Sequence, residues 1–396
     1  MPPNALIPHW RFLSASFLLV GLSAVGQTFV LSLFGGEWRE AFGLSHGQLG
    51  MAYSLATLAS ALLLLQAGRL IDHVPLRSMI LLVLFGAAAG SLILAFSTGV
   101  ILLTLGFFVL RLFGQGLMVH TAQTAVARAF HENRGKAVSL AAAGLPVAEA
   151  IVPALMVGLM TAIGWRSTWG LTAAALVVLA ALVLALLGRN IPVTDSTGSE
   201  QAASRDWTRH EVLRDPRFYL VLPALMGAPF VITSLFFHQV PLAEEQAWAL
   251  DWLAASFVAF AAAHLVSLFL AGPLVDRFGS RRLLPLHLLP LLLALFALQL
   301  DAGPWLAPVY LGLAGLGMGI ANTLMGVVWA ELYGIRHLGA IRAVGQAAMI
   351  LATAVAPVTI GMLLDQGLTM STIALFLAGY LLAASALARQ GLRRNH

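Results

Sequence analysis

Two long apolar runs flank the polar stretch Ala271-Gly272-Pro273-Leu274-Val275-Asp276-Arg277-Phe278-Gly279-Ser280-Arg281-Arg282. A weaker copy follows an earlier apolar run and reads Ala67-Gly68-Arg69-Leu70-Ile71-Asp72-His73-Val74-Pro75-Leu76-Arg77. The two aspartates, Asp72 and Asp276, lie half a chain apart, a spacing typical of proteins built from two homologous halves. The sequence therefore predicts two related halves, each with a short polar loop after its second apolar run.

The apolar runs themselves indicate a membrane protein. Of 396 residues, 60% are hydrophobic and only 10% are charged, whereas soluble proteins are about a quarter charged. The runs match the thickness of a bilayer, which a helix of about 20 residues crosses. We predict an all-α membrane protein with twelve transmembrane helices in two pseudo-symmetric six-helix bundles. The predicted spans 1 to 12 cover 12–34, 48–67, 78–96, 100–119, 137–162, 170–187, 218–237, 252–270, 283–300, 305–330, 341–364 and 372–387.

Charge distribution predicts the domain boundaries and the topology. The polar stretch 188–217 contains five arginines and no apolar periodicity, so we expect a cytoplasmic linker between bundles 1–187 and 218–396. With both termini in the cytoplasm, 19 of the 22 lysines and arginines lie on the cytoplasmic side. This asymmetry follows the positive-inside rule and explains the net charge of +5 without a nucleic-acid partner. We expect a multi-pass protein of a bacterial inner membrane.

The stretch 271–282 resembles the loop signature of the major facilitator superfamily, Gly-x-Leu-x-Asp-Arg-x-Gly-Arg-Arg. The first copy departs from it at His73, Pro75 and Leu76. The resemblance implies a secondary transporter whose halves rock about a central substrate site. It also implies a gating cluster, in which glycine permits close helix approach and aspartate binds helix-end N–H groups and arginine. The predicted gating residues are Asp72, Arg77, Gly272, Asp276 and Arg277. The alternative is a pair of hydrophilic turns with positive-inside arginines.

Only two formal charges fall deep within the spans, Arg111 in span 4 and Glu149 in span 5. Counted from the cytoplasmic ends of their spans, both lie near the midplane, so we expect them to face each other. Intramembrane charges are usually functional or paired. In one interpretation Glu149 binds a proton and thereby frees Arg111 for an anionic substrate. In the other, the two residues form a permanent structural ion pair.

Spans 4 to 6 also resemble the monocarboxylate-porter branch of the superfamily. The residues that carry this resemblance are Gly144-Leu145-Pro146-Val147-Ala148-Glu149, Arg134-Gly135-Lys136-Ala137 and Gly164-Trp165-Arg166, and the span-4 motif of the superfamily appears as Arg111-Leu112-Phe113-Gly114-Gln115-Gly116. Span 8 departs from the branch, because His264 and Leu268 occupy the positions of its aspartate and arginine. His264 is a candidate proton site or substrate donor in their place, or else a neutral histidine that holds spans together. Further candidates for the substrate cavity are Gln27, Gln115, Asn322 and Gln346.

No nucleotide-binding or hydrolase motif is present, so we expect no enzyme and no cofactor, and an ion gradient as energy source. The leading hypothesis is proton-coupled symport of a small organic anion, such as a monocarboxylate, into the cell. One alternative is a proton-driven efflux antiporter for drugs or metabolites. The other is a membrane receptor or assembly partner that transports nothing. The expected partners are a small-molecule substrate, protons and the lipid bilayer, and the protein is expected to be a monomer.

Overall fold

The computed structural model describes residues 9–67, 70–130, 134–187, 207–334 and 337–393. All regular secondary structure in these ranges is helical, which confirms the predicted all-α class. The chain divides into two compact units, unit 1 comprising Met1–Gly198 and unit 2 comprising Ser199–His396.

Unit 1 contains ten α-helices in the part of it that the structure describes. They are α1 Trp10–Leu22, α2 Thr28–Leu31, α3 Gly35–Phe42, α4 His46–Ala67, α5 Leu70–His73, α6 Leu76–Ala95, α7 Val100–Val109, α8 Val119–Ala129, α9 Arg134–Ala142 and α10 Gly144–Leu187. Two short 3-10 helices, Ser23–Gly26 and Ser32–Phe34, flank α2, and a π-helix, Leu110–Met118, joins α7 to α8.

Unit 2 contains nine α-helices among its described residues. They are α11 Arg209–Arg214, α12 Pro216–Phe237, α13 Gln239–Glu245, α14 Leu250–Phe278, α15 Ser280–Leu283, α16 Leu289–Ala297, α17 Leu306–Tyr333, α18 Leu338–Asp365 and α19 Met370–Arg393. A 3-10 turn, Gly303–Trp305, precedes α17.

Nine helices in the described ranges are long and apolar enough to cross a membrane, or ten if one bent pair counts as a span. The longest, Lys136–Leu187, contains Gly164 with a φ of 76° and a ψ of 158°, which no helix accommodates. It therefore represents spans 5 and 6 joined at a kink. Span 9 is too broken to be counted among these helices. The nine helices, with the longest counted as two spans, together with the bent pair and span 9 account for the twelve predicted spans.

Span 1 differs from the straight helix predicted for 12–34. It breaks at Gln27, whose φ of −82° and ψ of 152° are extended, and its arms Trp10–Gly26 and Thr28–Phe42 bend by 48°. The loop expected over 35–47 is mostly helical, because α3 continues the second arm. Trp38 of α3 is buried against Phe107 and Trp169. The charged residues on either side of Trp38 make this buried contact difficult to predict from the sequence.

Span 9 was expected as a helix over 283–300, and the structure corrects this. Its regular parts are only α15 and α16, with turns at 284–288 between them. Pro285 and Pro290 explain the break, because proline lacks the N–H that a helix interior requires. The buried His287 ring bonds the Leu284 carbonyl oxygen over 2.5 Å, so His287 stabilises the break.

The expected linker 188–217 lies partly outside the described residues, at 188–206. Its last part is ordered as α11, which begins with a capping box in which Thr208 and Glu211 bond each other's backbone N–H groups. The Trp207 backbone N–H donates to the Tyr333 carbonyl oxygen. This bond attaches the segment to the end of α17. Within the segment, Arg217 pairs with Asp215 over 2.9 Å.

Candidate functional site

The break at Gln27 lies directly against the π-helix of span 4. A Cβ added at Gly26 would collide with the Leu110 carbonyl oxygen and lie 2.7 Å from the Gln115 backbone nitrogen. On the other side of the contact, a Cβ at Gly114 would lie 3.1 Å from Gly26. The two main chains therefore touch, and only glycine permits this. Two irregular segments, a broken helix and a π-helix, meet at this point.

Irregular backbone within a membrane is usually found where it lines a cavity or a binding site, and π-helical turns frequently mark functional sites. The π-helix Leu110–Met118 carries two predicted site residues, Arg111 and Gln115, and the break carries a third, Gln27. Gln27 and Gln115 are both half-buried. We therefore define the centre of unit 1 as Gln27, Thr28, Tyr53, Arg111 and Gln115.

Arg111 is the charged residue of this centre. Its side chain is 7% exposed, and its guanidinium lies 5.1 Å from the centre of the Tyr53 ring. The Tyr53 hydroxyl shares a hydrogen bond of 2.7 Å with Thr28 Oγ1, next to the break. Among the described protein groups, Nε and Nη1 of Arg111 have no hydrogen-bond partner. The site therefore presents a buried cation with two N–H groups directed at no protein acceptor.

Glu149 is also buried, at 4% exposure, and it was expected to face Arg111 at the same depth. The prediction assumed straight helices of equal depth. Ala148, next to Glu149, packs on Gly21 of span 1, whereas the π-helix packs on Gly26. Five residues of span 1 separate these two contacts, about 7.5 Å of helix rise. The backbones that carry Arg111 and Glu149 therefore contact span 1 at different levels.

The centre of unit 2 is defined by His264, Ser267, Gly315, Gly319 and Asn322, where α14 and α17 approach closely. A Cβ at Gly319 would collide with Ser267 Oγ and lie 2.8 Å from the His264 carbonyl oxygen. Gly319 therefore permits the close packing of α17 on α14. The Ser267 hydroxyl donates to the His264 and Gly315 carbonyl oxygens over 2.9 and 3.4 Å.

His264 is 3% exposed, and Asn322 Nδ2 lies 3.5 Å from its Nε2. Asn322 itself is exposed, and so is Gln346 on α18. The structure thus brings His264 and Asn322 together, while the place of Gln346 at this centre stays a prediction. The polar groups at this centre are an imidazole, an amide and a hydroxyl, in contrast with the guanidinium of unit 1.

The second signature loop is held by a carboxylate that the sequence analysis missed. Glu331, near the end of α17, accepts hydrogen bonds from the Ser280 backbone N–H over 3.1 and 3.2 Å and from its hydroxyl over 2.6 Å. A carboxylate at a helix N-terminus is favourable, and this role was expected of Asp276. The sequence offered one signal for this contact. Glu331 is an isolated acid at the end of span 10, and this end is predicted to lie on the same side of the membrane as the loop.

The predicted gating residues of this loop make few contacts within the described ranges. Asp276 and Arg277 are exposed, and Arg277 lies 5.4 Å from the centre of the Phe278 ring. A Cβ at Gly272 would meet no described atom within 4 Å. The close helix approach expected at Gly272 stays a prediction, since the described residues leave open space there.

The first signature loop is held differently. Gly68, Arg69 and the Asp72 side chain lie outside the described residues, and Arg77 is exposed at the start of α6. Arg128, at the end of α8, donates from Nη1 to the Ile71 carbonyl oxygen over 3.3 Å. A cation from the end of span 4 thus contacts the first loop, while a carboxylate from the end of span 10 binds the second.

Two bundles of membrane-crossing helices, with a buried cation beside broken helices, define the class of multi-pass secondary transporters. The profile of the Major Facilitator Superfamily matches residues 16–260 and 241–394, and the chain belongs to this superfamily. It is therefore a membrane transporter of small molecules and not an enzyme, and transporters of this superfamily act as monomers.

Solved structures show the same fold at low sequence identity. One is a bacterial homologue of the human lysosomal transporter Spinster, inward-facing and unoccupied, with 16% identity, a TM-score of 0.68, and 96% of this chain and 93% of that chain covered. Another is the nucleoside transporter NupG, with 13% identity, a TM-score of 0.73, and 98% and 99% covered. A comparison with curated proteins gives no match.

Proposed function

We propose that this transporter carries a small organic anion, in the first place a monocarboxylate, into the cell together with a proton. Arg111 binds the anionic group, and Glu149 carries the proton. The observation that supports this most is Arg111 itself, a buried guanidinium whose Nε and Nη1 have no partner among the described protein groups. A carboxylate is a suitable complement, because hydrogen bonds between a guanidinium and an ionised acceptor are charge-assisted and strong.

The energetics favour a ligand at Arg111 over a purely structural role. Placing an arginine at the centre of a membrane helix costs about 2.5–3.5 kcal/mol on insertion scales. The contact with the Tyr53 ring offsets about 0.5–2 kcal/mol of this cost. Each N–H group left without a partner adds about 1–3 kcal/mol. An anionic ligand removes this last cost, whereas a structural arginine would be expected to have protein acceptors.

The different levels at which the backbones of Arg111 and Glu149 contact span 1 support separate roles for the two residues. If they formed a permanent ion pair, Arg111 would not be available to a substrate and Glu149 would stay ionised. Intramembrane carboxylates commonly serve as proton relays. We therefore assign proton transfer to Glu149, with His264 as a neutral donor to the substrate alongside Gln27, Gln115, Asn322 and Gln346.

The substrate class rests on charge and on the resemblance of spans 4 to 6 to monocarboxylate porters. Span 8 has His264 and Leu268 where that branch has an aspartate and an arginine. Because the arginine of span 8 is missing, we assign the single anionic group of the substrate to the guanidinium of Arg111. We propose alternating access, with the signature loops as gates and Asp72, Arg77, Asp276 and Arg277 forming their contacts in another conformation. We also propose both termini and the linker 188–217 in the cytoplasm of a bacterium.

The test uses the purified protein in liposomes that contain a pH dye. Short monocarboxylates, amino acids, nucleosides and cationic drugs are added in turn, and protein-free liposomes control for passive entry of weak acids. We expect internal acidification with monocarboxylates only. Proton movement driven by cationic drugs would contradict the proposal and indicate an exporter. Movement of a labelled substrate without any pH change would contradict the proton coupling.

A further inference from the structure

We propose that unit 2 carries a binding site for one anionic phospholipid, independent of the transport site. The site is a cavity of about 650 Å³ between the start of span 9 and the end of α19, and nine described residues line it. Four of the nine are arginines: Arg281, Arg282, Arg389 and Arg393. None of the nine is acidic. We call this cavity the phospholipid pocket.

The charges of the pocket are not neutralised within the described part of the chain. Arg282, Arg389 and Arg393 make no hydrogen bond or ion pair there. Arg281 donates to the backbone carbonyl oxygen of Glu331 over 3.4 Å, and the carboxylate of Glu331 is already bound to Ser280. Arg389 and Arg393 are one helical turn apart on the same face, where like charges destabilise a helix. Four exposed cations around one cavity are expected to attract a group with concentrated negative charge.

The apolar part of the pocket favours a lipid over a free anion. Pro285, Leu286 and Leu392 line the cavity beside the arginines, and Leu286 is 64% exposed. On α19, Leu382 precedes Ser385 and Arg389 along the same face and is 52% exposed. Cations thus lie at the helix ends and apolar side chains lie towards the middle of the span. A phosphate headgroup with an acyl chain matches this order, and basic pockets between membrane helices typically bind such headgroups.

The test measures binding of dioleoylphosphatidylglycerol to the whole protein by native mass spectrometry, with the zwitterionic dioleoylphosphatidylcholine for comparison. Arg389→Gln/Arg393→Gln removes two charges from the pocket. Arg209→Gln/Arg214→Gln is the matched control, since it removes two exposed arginines of unit 2 outside the pocket. Each arginine near an anionic lipid is worth about fivefold in affinity, so we expect about 25-fold weaker binding in the pocket variant. We expect binding within twofold of the wild type in the control.

A second variant separates a built cavity from a merely basic surface. Ser385→Trp fills the pocket without changing its charge, and we expect it to weaken phosphatidylglycerol binding at least fivefold at an unchanged melting temperature. Wild-type binding in either the charge variant or Ser385→Trp would overturn the proposal. So would equal retention of the two lipids. Displacement of the bound lipid by inorganic phosphate at equal concentration would assign the pocket to free phosphate and would overturn the lipid assignment.

Discussion

The centre of unit 1 holds a buried guanidinium beside irregular backbone, whereas the centre of unit 2 holds a buried imidazole beside two tightly packed regular helices. In unit 1, the break at Gln27 and the π-helix leave Arg111 with N–H groups that no described protein atom accepts. In unit 2, Gly319 brings α14 and α17 into contact, and His264 has Asn322 beside it. Under the proposed function, charge recognition belongs to unit 1 and unit 2 supplies further polar contacts.

The largest expected effect separates Glu149 from His264 as the proton carrier. In liposomes with a pH dye, Glu149→Gln is expected to reduce substrate-driven acidification to that of protein-free liposomes, because an amide cannot carry the proton. Exchange of labelled substrate across the membrane should continue. His264→Gln is the matched variant in unit 2. Liposomes with this variant should acidify at no less than about a tenth of the wild-type rate, because the substitution removes one neutral hydrogen bond. Wild-type acidification in Glu149→Gln would refute the assignment.

The contact at Gly26 provides a second test, directed at the backbone of unit 1. Gly26→Ala places a methyl group against the Leu110 carbonyl oxygen and the Gln115 nitrogen, and neither main-chain atom can rotate away. Overpacking of this kind costs about 1–3 kcal/mol, so we expect a lower melting temperature in detergent together with slower transport. Gly158→Ala is the control, since a methyl group there meets no described atom within 4 Å. Equal melting temperatures of the two variants would contradict the described contact.

The contact at Gly319 in unit 2 should be more tolerant. Gly319→Ala meets the Ser267 hydroxyl, which can rotate, and the His264 carbonyl oxygen, which cannot. We expect destabilisation of about 1 kcal/mol, measured by thermal unfolding, with Gly326→Ala on the same helix as the control. Adding Ser267→Ala to Gly319→Ala should restore part of the loss. No recovery in the double variant would mean that the hydroxyl is not the limiting contact.

The smallest expected effect concerns the support of Arg111. Tyr53→Phe keeps the aromatic ring beneath the guanidinium but removes the hydroxyl that bonds Thr28. One neutral hydrogen bond contributes about 1 kcal/mol, so the KM for the anion should rise about fivefold at most, with kcat little changed. Tyr53→Ala removes the ring as well and should have the larger effect. A greater loss in Tyr53→Phe than in Tyr53→Ala would contradict this arrangement.

The sequence predicts much of the fold, because bilayer-length apolar runs and the repeated loop signature are local features. It also identifies Arg111 and Glu149 as buried charges. The bend at Gln27 and the π-helix could not be predicted in this way, since both depend on which glycines meet across helices. Gly26 and Gly114 are visible in the sequence, but their contact is not. The break in span 9 was open to prediction from Pro285 and Pro290.

The signature loops show the same limit at the level of single residues. The motif identifies Asp276 as the acid of the second loop. The acid that binds Ser280, however, is Glu331, which lies 51 residues after it in the chain. No local pattern connects these two positions, and their contact arises from the packing of α17 against α14 and α15. In the first loop, the corresponding contact comes from Arg128, so two related motifs are held by groups of opposite charge.

The central claim is that Arg111, in unit 1, binds the anionic group of the substrate. The most direct test of this claim is equilibrium binding, measured by calorimetry at one pH. The ligand is the monocarboxylate that gives the strongest acidification, and the proteins compared are the wild type, Arg111→Gln and His264→Gln. Two charge-assisted hydrogen bonds contribute about 3 kcal/mol or more, so Arg111→Gln should bind at least about a hundredfold more weakly, and His264→Gln about tenfold at most. Binding by Arg111→Gln within threefold of the wild type would contradict the account.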